Sequence, residues 1–569
     1  MIPSYTDRCS GITSVAGLSF KVGGVGLLLL LFAYSLFLGQ NRIYQVDEAQ
    51  TLYMAKVVGA GETTEFFTTA ALSLLGPLAW LASSDLNSNQ IFSLSRLLFV
   101  GVFWHNVVLS AYLAGGSFRK PKGIISLLVA ASLAPLWDFG FEIRHDNLIL
   151  SFVLTSFWMI RAKPLGAPSI AIAGCLLACM PFLAFKAFVF AGPLFILSLL
   201  MLKGDARNGF RREVILLLSG MLISTILIVG LYFYSGLWDI LISGVSGGVD
   251  ASVVGHRFGV MDALMRAWVQ CPVLSFITVV MVPVETVRFL RFSSGFFKGF
   301  VQFSSFGLLL IGCFALFINP TPFPYNLVNV VPFAMMFVVG RISDLIVQWR
   351  LSPGRVAMVC SVLLGVHLVS FHGSALRHLH WTNQRQRLLM ETAEKMSGPE
   401  HRIYDAVGLV PSRKSIHYNW YLHSLNVKAF VDGSLTSVPE MVRANPPVVI
   451  IPNYRTNWLP EDDQAGMLMH HVPLSDDFWV LGVWMEGGSG QYEVMVGGRY
   501  ALILEGDKKG EVWIDGVPHQ AGVVFLEKGT HQLESVNSGG LAVVWLGPLM
   551  DQLPDLGQKP RLPLFVNWY

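Results

Sequence analysis

Charged residues are scarce in this chain of 569 residues. Only 14% of its residues are Asp, Glu, Lys or Arg, whereas 53% are hydrophobic, a balance that soluble globular proteins rarely reach. The net charge of +3 is too small to indicate a nucleic-acid-binding surface. The composition therefore predicts an integral membrane protein, with lipid and not nucleic acid around it.

Cysteine pairs of the CxxC type are absent, which removes the usual zinc and redox motifs. All six cysteines precede residue 373, so the residues that follow must fold without disulfide bonds even if they are exported. Cys175 and Cys179 lie one helical turn apart in an apolar run, and we interpret them as lipid-buried or packed thiols. The sequence predicts no metal ligands and leaves the use of a divalent cofactor open.

Eleven apolar runs predict membrane-spanning helices, because a helix needs about 20 mainly apolar residues to cross a bilayer. The first run resembles the core of a signal peptide, but no small-residue cleavage site follows it and ten further runs do, so we predict that it remains as a helix. The predicted spans are 22–38, 97–114, 124–141, 147–160, 168–184, 187–202, 214–236, 272–287, 299–318, 325–340 and 356–372.

The basic residues of the loops predict the orientation of these spans, since cytoplasmic loops are enriched in Lys and Arg. Loops on one side hold fifteen basic residues, and the opposite loops, about twice as long in total, hold seven. The N-terminus is therefore predicted to be cytoplasmic, and residues 373–569 to be exported. The basic loops are 115–123, 161–167, 203–213, 288–298 and 341–355; the opposite loops are 39–96, 142–146, 185–186, 237–271 and 319–324.

Residues 373–569 read as an ordinary soluble sequence and predict two subdomains. In 373–475, the strand-like RIYDAVGLV, the helical KSIHYNWYLHSL and the buried-strand run PPVVII indicate a small α/β unit. In 476–569, short strands separated by glycine turns indicate a β-sandwich. The predicted fold is thus an α-helical polytopic membrane protein of about eleven spans in residues 1–372, followed by a soluble α/β plus β-sandwich part.

Two adjacent acids follow the first predicted span. Asp47 and Glu48 lie about nine residues beyond the apolar run, on the predicted exported side. A carboxylate there can accept a proton from a nucleophile or bind a cation. Acids at this position also favour the first turn of a helix, here one that begins near Ala49. Both interpretations stay open.

A second charged cluster lies in the next exported turn, FEIRHDNLILSF. It holds Glu142, Arg144, His145 and Asp146 within five positions. Arg144 suits a phosphate, because its planar guanidinium donates bidentate hydrogen bonds, and Asp146 either orients Arg144 or simply pairs with it. Charges at a membrane boundary can also be snorkelling side chains, although four in so short a turn favour a functional role.

Four further candidates lie in later exported loops. Lys186 is an isolated charge between apolar runs, and it is either a snorkelling residue or a positive point charge for an anion. His256 and Arg257 lie in a glycine- and serine-rich loop, where ordinary surface roles are the more frequent. Tyr325 begins a span after several prolines, which can serve only to shape the start of the helix.

The order of these motifs resembles that of the GT-C superfamily of membrane glycosyltransferases. The matching elements are the DEA of Asp47–Ala49, the RxD of Arg144–Asp146 and the proline–tyrosine segment Pro322–Tyr325. The chain looks most like the branch that contains protein O-mannosyltransferases and lipid A aminoarabinose transferases. Lys186 also lies where related enzymes tend to have a basic residue near the donor phosphate. The resemblance covers roughly residues 20–372.

The resemblance implies inverting transfer of a sugar from a polyprenyl-phosphate donor to an acceptor hydroxyl, at the exported face of a bacterial inner membrane. Asp47 would then be the base that deprotonates the acceptor, and Glu48 would support it. Arg144 and Lys186 would stabilise the phosphate leaving group as negative charge develops on it. The remaining residues of the expected donor site are Asp146, His256, Arg257 and Tyr325. The acceptor would be a glycan, a lipid or a protein.

Two other classes of function stay open on the sequence alone. One is a transporter or flippase of lipid-linked glycans, although such proteins often show paired halves, and this sequence shows no internal repeat. The other is a non-catalytic subunit for glycan assembly, against which the acidic pair at Asp47 argues only weakly. The cytoplasmic loops have no phosphate-binding glycine motif, which favours a lipid-linked donor over a nucleotide sugar.

The loop charges predict the location of the C-terminus. A reporter that is active only outside the cytoplasm, such as alkaline phosphatase, should be active when fused after Tyr569, because an odd number of spans separates the two ends of the chain. A reporter that works only in the cytoplasm is the control. Activity of the control alone would mean that the number of spans is even.

Overall fold

The computed structural model describes most of the chain. The described residues are 6–60, 76–205, 209–239, 242, 259–291, 303–319, 322–348, 352–416, 433, 436–506, 510–535, 540–557 and 563–565. Within them, helices occupy most of the chain up to residue 377, and strands are confined to the residues after 400.

Fifteen α-helices occupy the described part of residues 6–377. They are α1 (Thr6–Asn41), α2 (Val46–Gly59), α3 (Pro77–Ala82), α4 (Ser88–Gly115), α5 (Pro121–Ala131), α6 (Ala134–Phe139), α7 (His145–Ala162), α8 (Ala167–Leu183), α9 (Phe188–Asp205), α10 (Phe210–Tyr234), α11 (Val260–Gln270), α12 (Pro272–Leu290), α13 (Ser304–Ile318), α14 (Val331–Gln348) and α15 (Pro353–Arg377). Short 3-10 helices lie at Phe185–Ala187, Pro324–Asn329 and His378–His380.

The prediction of a polytopic α-helical membrane protein is confirmed. Among the described residues, seven helical segments are long and apolar enough to cross a membrane, and three shorter apolar helices accompany them. Each of the eleven predicted runs overlaps a helix, whereas the count of eleven spans stays a prediction. The seven long segments are Gly23–Asn41, Ser88–Gly115, Phe185–Gly204, Phe210–Tyr234, Pro272–Leu290, Pro324–Ile346 and Met358–His380.

The third predicted span is broken into two helices. Helix α5 ends at Ala131, and α6 begins at Ala134 with Pro135 in its first turn. A proline inside a continuous helix would clash with the carbonyl of the residue four positions earlier, here Ala131. The break turns α6 into a short buried helix that leads directly to the charged turn before α7.

Helices α8 and α10 cross at two glycines. A Cβ atom at Gly174 would lie 2.1 Å from the carbonyl oxygen of Leu217, and one at Gly220 would lie 2.0 Å from that of Ala171. Only glycine therefore permits this approach of the two backbones. The thiol of Cys175 donates to the Gly220 carbonyl at 3.2 Å, as expected for a packed thiol, and the crossing fixes the helix that leads to Lys186.

In its described residues, the C-terminal region (384–565) contains three α-helices and two sheets. The helices are α16 (Gln384–Ser397), α17 (Val438–Ala444) and α18 (Glu461–Leu468). The strands are β1 (Arg402–Tyr404), β2 (Pro447–Ile450), β3 (His471–Ser475), β4 (Phe478–Met485), β5 (Ser489–Val494), β6 (Gly498–Leu504), β7 (Glu511–Ile514), β8 (Val517–Gln520), β9 (Val523–Leu526), β10 (Gly529–Ser535) and β11 (Leu541–Trp545).

As far as the region is described, one sheet has seven strands and the other has four. The first runs β1-β2-β4-β11-β6-β9 with β3 beside β4, and the second runs β5-β10-β7-β8. Strands β1 and β2 are parallel, and the other pairs are antiparallel. The first sheet takes strands from both sides of residue 476, so the division there stays a prediction. The predicted helix KSIHYNWYLHSL lies mostly outside the described residues.

The C-terminal region packs directly on the start of α2. The side-chain carbonyl of Gln386 accepts from the Tyr44 backbone N–H at 2.7 Å, and its amide donates to the Tyr44 carbonyl at 3.0 Å. The Ser415 backbone N–H donates to the Tyr53 hydroxyl at 2.7 Å. A single hydrophobic core contains α2 residues together with residues of α16 and the seven-stranded sheet. The two parts of the chain therefore form one packed structure around α2.

Candidate functional site

The two acids at the start of α2 have different surroundings. Glu48 is completely buried, and its carboxylate accepts from the Gln45 backbone N–H at 2.8 Å, which caps the helix. The side chain of Asp47 is 38% exposed, and its carboxylate accepts from Arg144 at 2.5 Å. Glu48 thus caps the helix, whereas Asp47 is the acid whose position suits chemistry.

Glu48 and Arg96 form an ion pair with no exposed side-chain surface. Arg96 donates to the two carboxylate oxygens at 2.8 and 2.5 Å, and also to the carbonyls of Arg42 and Ile43 at 2.6 and 2.8 Å. The carboxylate of Glu48 accepts in addition from the Ile143 N–H at 3.1 Å. These bonds join the end of α1, the start of α2, helix α4 and the charged turn before α7.

A second buried pair lies beside the first. Arg42 donates to the carbonyls of Trp137 and Asp138 at 3.0 and 2.9 Å and to the Glu142 carboxylate at 2.9 Å. Burial, together with the negative charge of Glu48, raises the pKa of Glu142 to about 7. The positive charge of Arg42 acts in the opposite direction and is outweighed. This pair fixes the backbone on which the charged turn is built.

Arg144 contacts Asp146, two positions later, and two groups that are distant in the sequence, Asp47 and Tyr325. Its guanidinium donates to Asp47, its Nε lies 3.6 Å from Asp146 Oδ2, and its Cζ lies 3.7 Å from the centre of the Tyr325 ring. The face of an aromatic ring attracts a cation. Tyr325 therefore holds the guanidinium flat while the two carboxylates neutralise it.

Lys186 contacts the other side of the same group. The 3-10 helix Phe185–Ala187 breaks the chain between α8 and α9, and it brings the Lys186 ammonium to 2.7 Å from Asp146 Oδ1 and 4.8 Å from the Tyr325 ring centre. Asp146 thus pairs with both cations, and Tyr325 lies against both.

The structure brings five of the eight predicted site residues into one cluster beside Glu48. We call this group the charged cluster; its members are Asp47, Arg144, Asp146, Lys186 and Tyr325. His256 and Arg257 lie outside the described residues. His145, which had no assigned role, lies with its Nε2 3.6 Å from Asp146 Oδ2.

The pKa of Asp47 lies below its ordinary value. Burial acts to raise it, but the positive charge of Arg144, and after it that of Arg455 in the C-terminal region, outweigh the burial. Asp47 is therefore a carboxylate at neutral pH, ready to accept a proton or a hydrogen bond. The charged cluster pairs two cations with two acids, which is a composition suited to an incoming phosphate.

Polar and charged side chains surround the buried Asp138 in α6. His378 Nε2 and the Gln270 amide lie 2.9 and 2.5 Å from its carboxylate oxygens, Arg377 contacts it directly and an Arg266 nitrogen lies 3.6 Å away. This set ties α6 to α11 and to the end of α15.

Sequence reasoning missed Asp138 and undervalued the buried arginines. Asp138 is the one acid inside the predicted span 124–141, and a lone acid within an apolar run is a signal of a functional or paired group. Arg42 and Arg96 were counted only among the basic residues of the loops, because their partners lie about 100 and 48 residues away. In the described part of the chain, no three or more His, Cys, Asp or Glu side chains are grouped so that they could hold a metal ion.

Comparison with known proteins identifies the fold. No protein-family model matches the chain, and no curated protein matches it. Among solved structures, ArnT from Cupriavidus metallidurans in the apo state matches with a TM-score of 0.53 at 12% identity, over 82% of this chain and 98% of ArnT. ArnT bound to undecaprenyl phosphate matches with a TM-score of 0.52 at 13% identity, over 81% and 97%.

The likeness establishes that this chain shares the fold of ArnT, a lipid A aminoarabinose transferase of the GT-C type. The resemblance inferred from the motifs is thus confirmed at the level of fold. Residues 1–372 make up about two thirds of the chain, so a match over 82% of it includes part of the C-terminal region. The shared fold therefore extends beyond residues 20–372, the part of the chain that the motif resemblance covers.

The buried Glu48–Arg96 pair predicts a larger loss of stability on substitution than an exposed arginine pair gives. Arg96→Gln leaves the Glu48 carboxylate buried without its partner, which costs about 3–5 kcal/mol, so the detergent-solubilised variant should melt at a clearly lower temperature. Arg499→Gln is the control, because the Asp551 partner of Arg499 is 97% exposed and such pairs contribute about 0–1 kcal/mol. Equal melting temperatures for the two variants would contradict a stabilising role of the buried pair.

Proposed function

We propose that the protein is an inverting glycosyltransferase, which moves a sugar from a polyprenyl-phosphate donor to an acceptor hydroxyl. The observation that carries the proposal is the charged cluster, in which a half-exposed carboxylate, two cations and a tyrosine meet at the start of α2 and α7. The fold supports it, since the ArnT structure with the same fold was solved with undecaprenyl phosphate bound.

In this proposal Arg144 and Lys186 hold the donor phosphate. As the bond between the sugar and the phosphate oxygen breaks, the phosphate gains negative charge, and cations already in position stabilise that charge without having to reorganise. The contacts with Asp146 and with the Tyr325 ring hold both cations in position before the donor arrives. His256 and Arg257 stay predicted members of the donor site.

Asp47 is the proposed base. The acceptor hydroxyl attacks the anomeric carbon on the face opposite the phosphate, the new C–O bond forms as the bond to the phosphate breaks, and Asp47 receives the hydroxyl proton. Configuration at the anomeric carbon is thereby inverted. A single carboxylate is sufficient for this reaction because no covalent sugar–enzyme intermediate is formed.

The pairing of Asp47 with Arg144 couples donor binding to this step. A phosphate bound at Arg144 brings negative charge beside Asp47, which offsets the main positive charge that lowers the pKa of that carboxyl. A higher pKa makes a carboxylate a stronger base. Donor binding would therefore activate Asp47, and the free enzyme would keep it inactive in an ion pair.

The distribution of basic loop residues supports a reaction on the non-cytoplasmic face of a bacterial inner membrane, where the C-terminal region would also lie. A donor anchored in lipid reaches that face without a cytoplasmic nucleotide sugar. The position of the charged cluster at the ends of helices, near the predicted membrane boundary, suits a phosphate carried by a polyprenyl chain in the bilayer.

The role of the two cations can be tested by binding. In nanodiscs, Arg144→Ala and Lys186→Ala should each weaken undecaprenyl phosphate binding about 10- to 100-fold, because each removes a charge-assisted hydrogen bond worth about 1.5–3 kcal/mol. Lys395→Ala, which changes an exposed lysine paired only within α16, is the control. If both variants bind undecaprenyl phosphate with wild-type affinity, Arg144 and Lys186 are snorkelling side chains and do not hold the donor.

The role of Asp47 can be tested by turnover with a panel of polyprenyl-phosphate sugars. Asp47→Asn keeps the shape of the side chain and removes the proton acceptor, so turnover should fall by about 10²–10⁴-fold while undecaprenyl phosphate still binds. Asp85→Asn, at an exposed acid before α4, is the matched control. Full turnover of Asp47→Asn would exclude Asp47 as the base.

If no turnover is detected, a binding measurement separates the proposed enzyme from the other classes of function. If the wild-type protein binds undecaprenyl phosphate and transfers no sugar from any donor, the transporter and the assembly subunit become the better interpretations. Movement of a labelled lipid-linked glycan between the leaflets of a proteoliposome would then identify the transporter.

A further inference from the structure

The loop after β2 carries an arginine held between two aromatic rings. Arg455 Cζ lies 4.4 Å from the centre of the Trp458 ring and 5.5 Å from that of the Tyr454 ring, and Arg455 Nε donates to the Tyr454 hydroxyl at 3.2 Å. The two rings meet edge to face at 5.8 Å. We call these three residues the aromatic platform. Tyr454 is 37% exposed, so the platform reaches the surface.

The loop that carries the platform has a defined shape. The Asn453 backbone N–H donates to Thr456 Oγ1 at 3.0 Å, and Asn453 Oδ1 accepts from the Arg455 N–H at 3.0 Å. The Asn453 side-chain amide donates to the Asp405 carbonyl at 2.6 Å. Asn453 and Thr456 are both buried. The position of Arg455 is therefore set by the hydrogen bonds of the loop and does not depend on a ligand.

The platform lies at the edge of the sheet where ligand sites are usually found. Strands β1 and β2 are parallel, so their carboxyl ends meet at the same edge, and the loops that follow them carry Asp405 and Asn453. Ligands of open α/β sheets bind outside the carboxyl ends of parallel strands. Asp405 uses its carboxylate within its own loop, where it accepts from the backbone N–H groups of Val407, Gly408 and Val410.

This edge faces helix α2, whose first turn contains Asp47. The Ser415 N–H donates to the Tyr53 hydroxyl, six residues after Asp47. Val407 and Leu409, which follow β1, share one hydrophobic core with Leu52. The loops at the carboxyl ends of the strands and the helix with the proposed base are therefore packed against each other.

Electrostatics agrees with this proximity. Arg455 follows Arg144 among the positive charges that lower the pKa of Asp47. Charges that shift a carboxylate in this way lie within the short range over which solvent does not screen them. The two cations that act on Asp47 thus come from different parts of the chain, Arg144 from the membrane helices and Arg455 from the C-terminal region.

We infer that the aromatic platform binds the acceptor, and that the acceptor is a saccharide. The inference rests on the proposed function, in which Arg144 and Lys186 take the donor phosphate and Asp47 the acceptor proton. Aromatic faces pack against the C–H faces of sugar rings, and an arginine donates several hydrogen bonds to hydroxyl or acidic groups. Of the three acceptor classes that the motifs leave open, a saccharide is the one that this combination suits.

The test measures two binding reactions on the same samples of full-length protein in nanodiscs. One is binding of undecaprenyl phosphate, and the other is binding to an array of oligosaccharides from bacterial envelopes. Trp458→Ala and Arg455→Gln should each lose at least about tenfold in saccharide binding, and undecaprenyl phosphate should bind them as it binds the wild type. Trp458→Tyr, which keeps an aromatic face, should recover most of the saccharide binding.

The matched control is Trp513→Ala, because Trp513 in β7 is a tryptophan of the C-terminal region that reaches the surface outside the platform. It should leave both reactions unchanged. Melting temperatures of all variants identify any that fail to fold, and Arg455→Gln, at a partly exposed side chain, keeps the test informative if Trp458→Ala unfolds.

Three outcomes would overturn the inference. If undecaprenyl phosphate binds but the wild type binds no saccharide, or if the platform variants bind saccharide like the wild type, the platform is not an acceptor site while the proposed function stands. If the variants lose only undecaprenyl phosphate binding, the platform belongs to the donor site instead. A wild type that binds saccharide but no undecaprenyl phosphate would contradict the proposed function and leave the saccharide site in place.

Discussion

The buried pair of Glu48 and Arg96 is the interaction on which the rest of the candidate site depends. Removing two charges from water is costly, and the cost is offset only when both groups are fully hydrogen-bonded. Here the carboxylate accepts from Arg96 and from two backbone N–H groups, and the guanidinium also donates to two carbonyls. The pair thus fixes the first turn of α2, and with it the direction of the neighbouring Asp47.

The charged cluster built on this frame is balanced, with Asp47 and Asp146 opposite Arg144 and Lys186. A balanced set can lie at a membrane boundary without a ligand, whereas two unpaired cations there would be costly. Balance also means that an arriving phosphate must compete with a carboxylate for its cation. The proposed enzyme would therefore bind its donor less tightly than a site with two unpaired cations would. In this arrangement, however, donor binding would also activate the base.

Local patterns in the sequence predicted those parts of the protein that depend on neighbouring residues. Apolar runs predicted the helices, and glycine turns predicted most of the antiparallel strands. Asp47, Arg144 and Lys186 lie on one predicted face, and the family resemblance implied that they would form one site. The Glu48–Arg96 and Arg42–Glu142 pairs were not predictable in this way, since nothing local specifies a partner 48 or 100 residues away. The same holds for the platform at Arg455, whose relation to Asp47 depends on how the C-terminal region packs.

The hydrogen bonds between Tyr44 and Gln386 join residues that are 342 positions apart. A ribosome adds about 5–20 residues per second, so about 20–70 s separate the synthesis of these two partners. Throughout that interval the apolar face of α2 lacks the strands and helix that later cover it, while the neighbouring spans are already in the membrane. The start of α2 is therefore among the first parts of the protein to be synthesised and among the last to reach its final surroundings. During biogenesis, membrane insertion would precede assembly of the candidate site, and a nascent chain would carry an uncovered α2 until its own C-terminal region was complete.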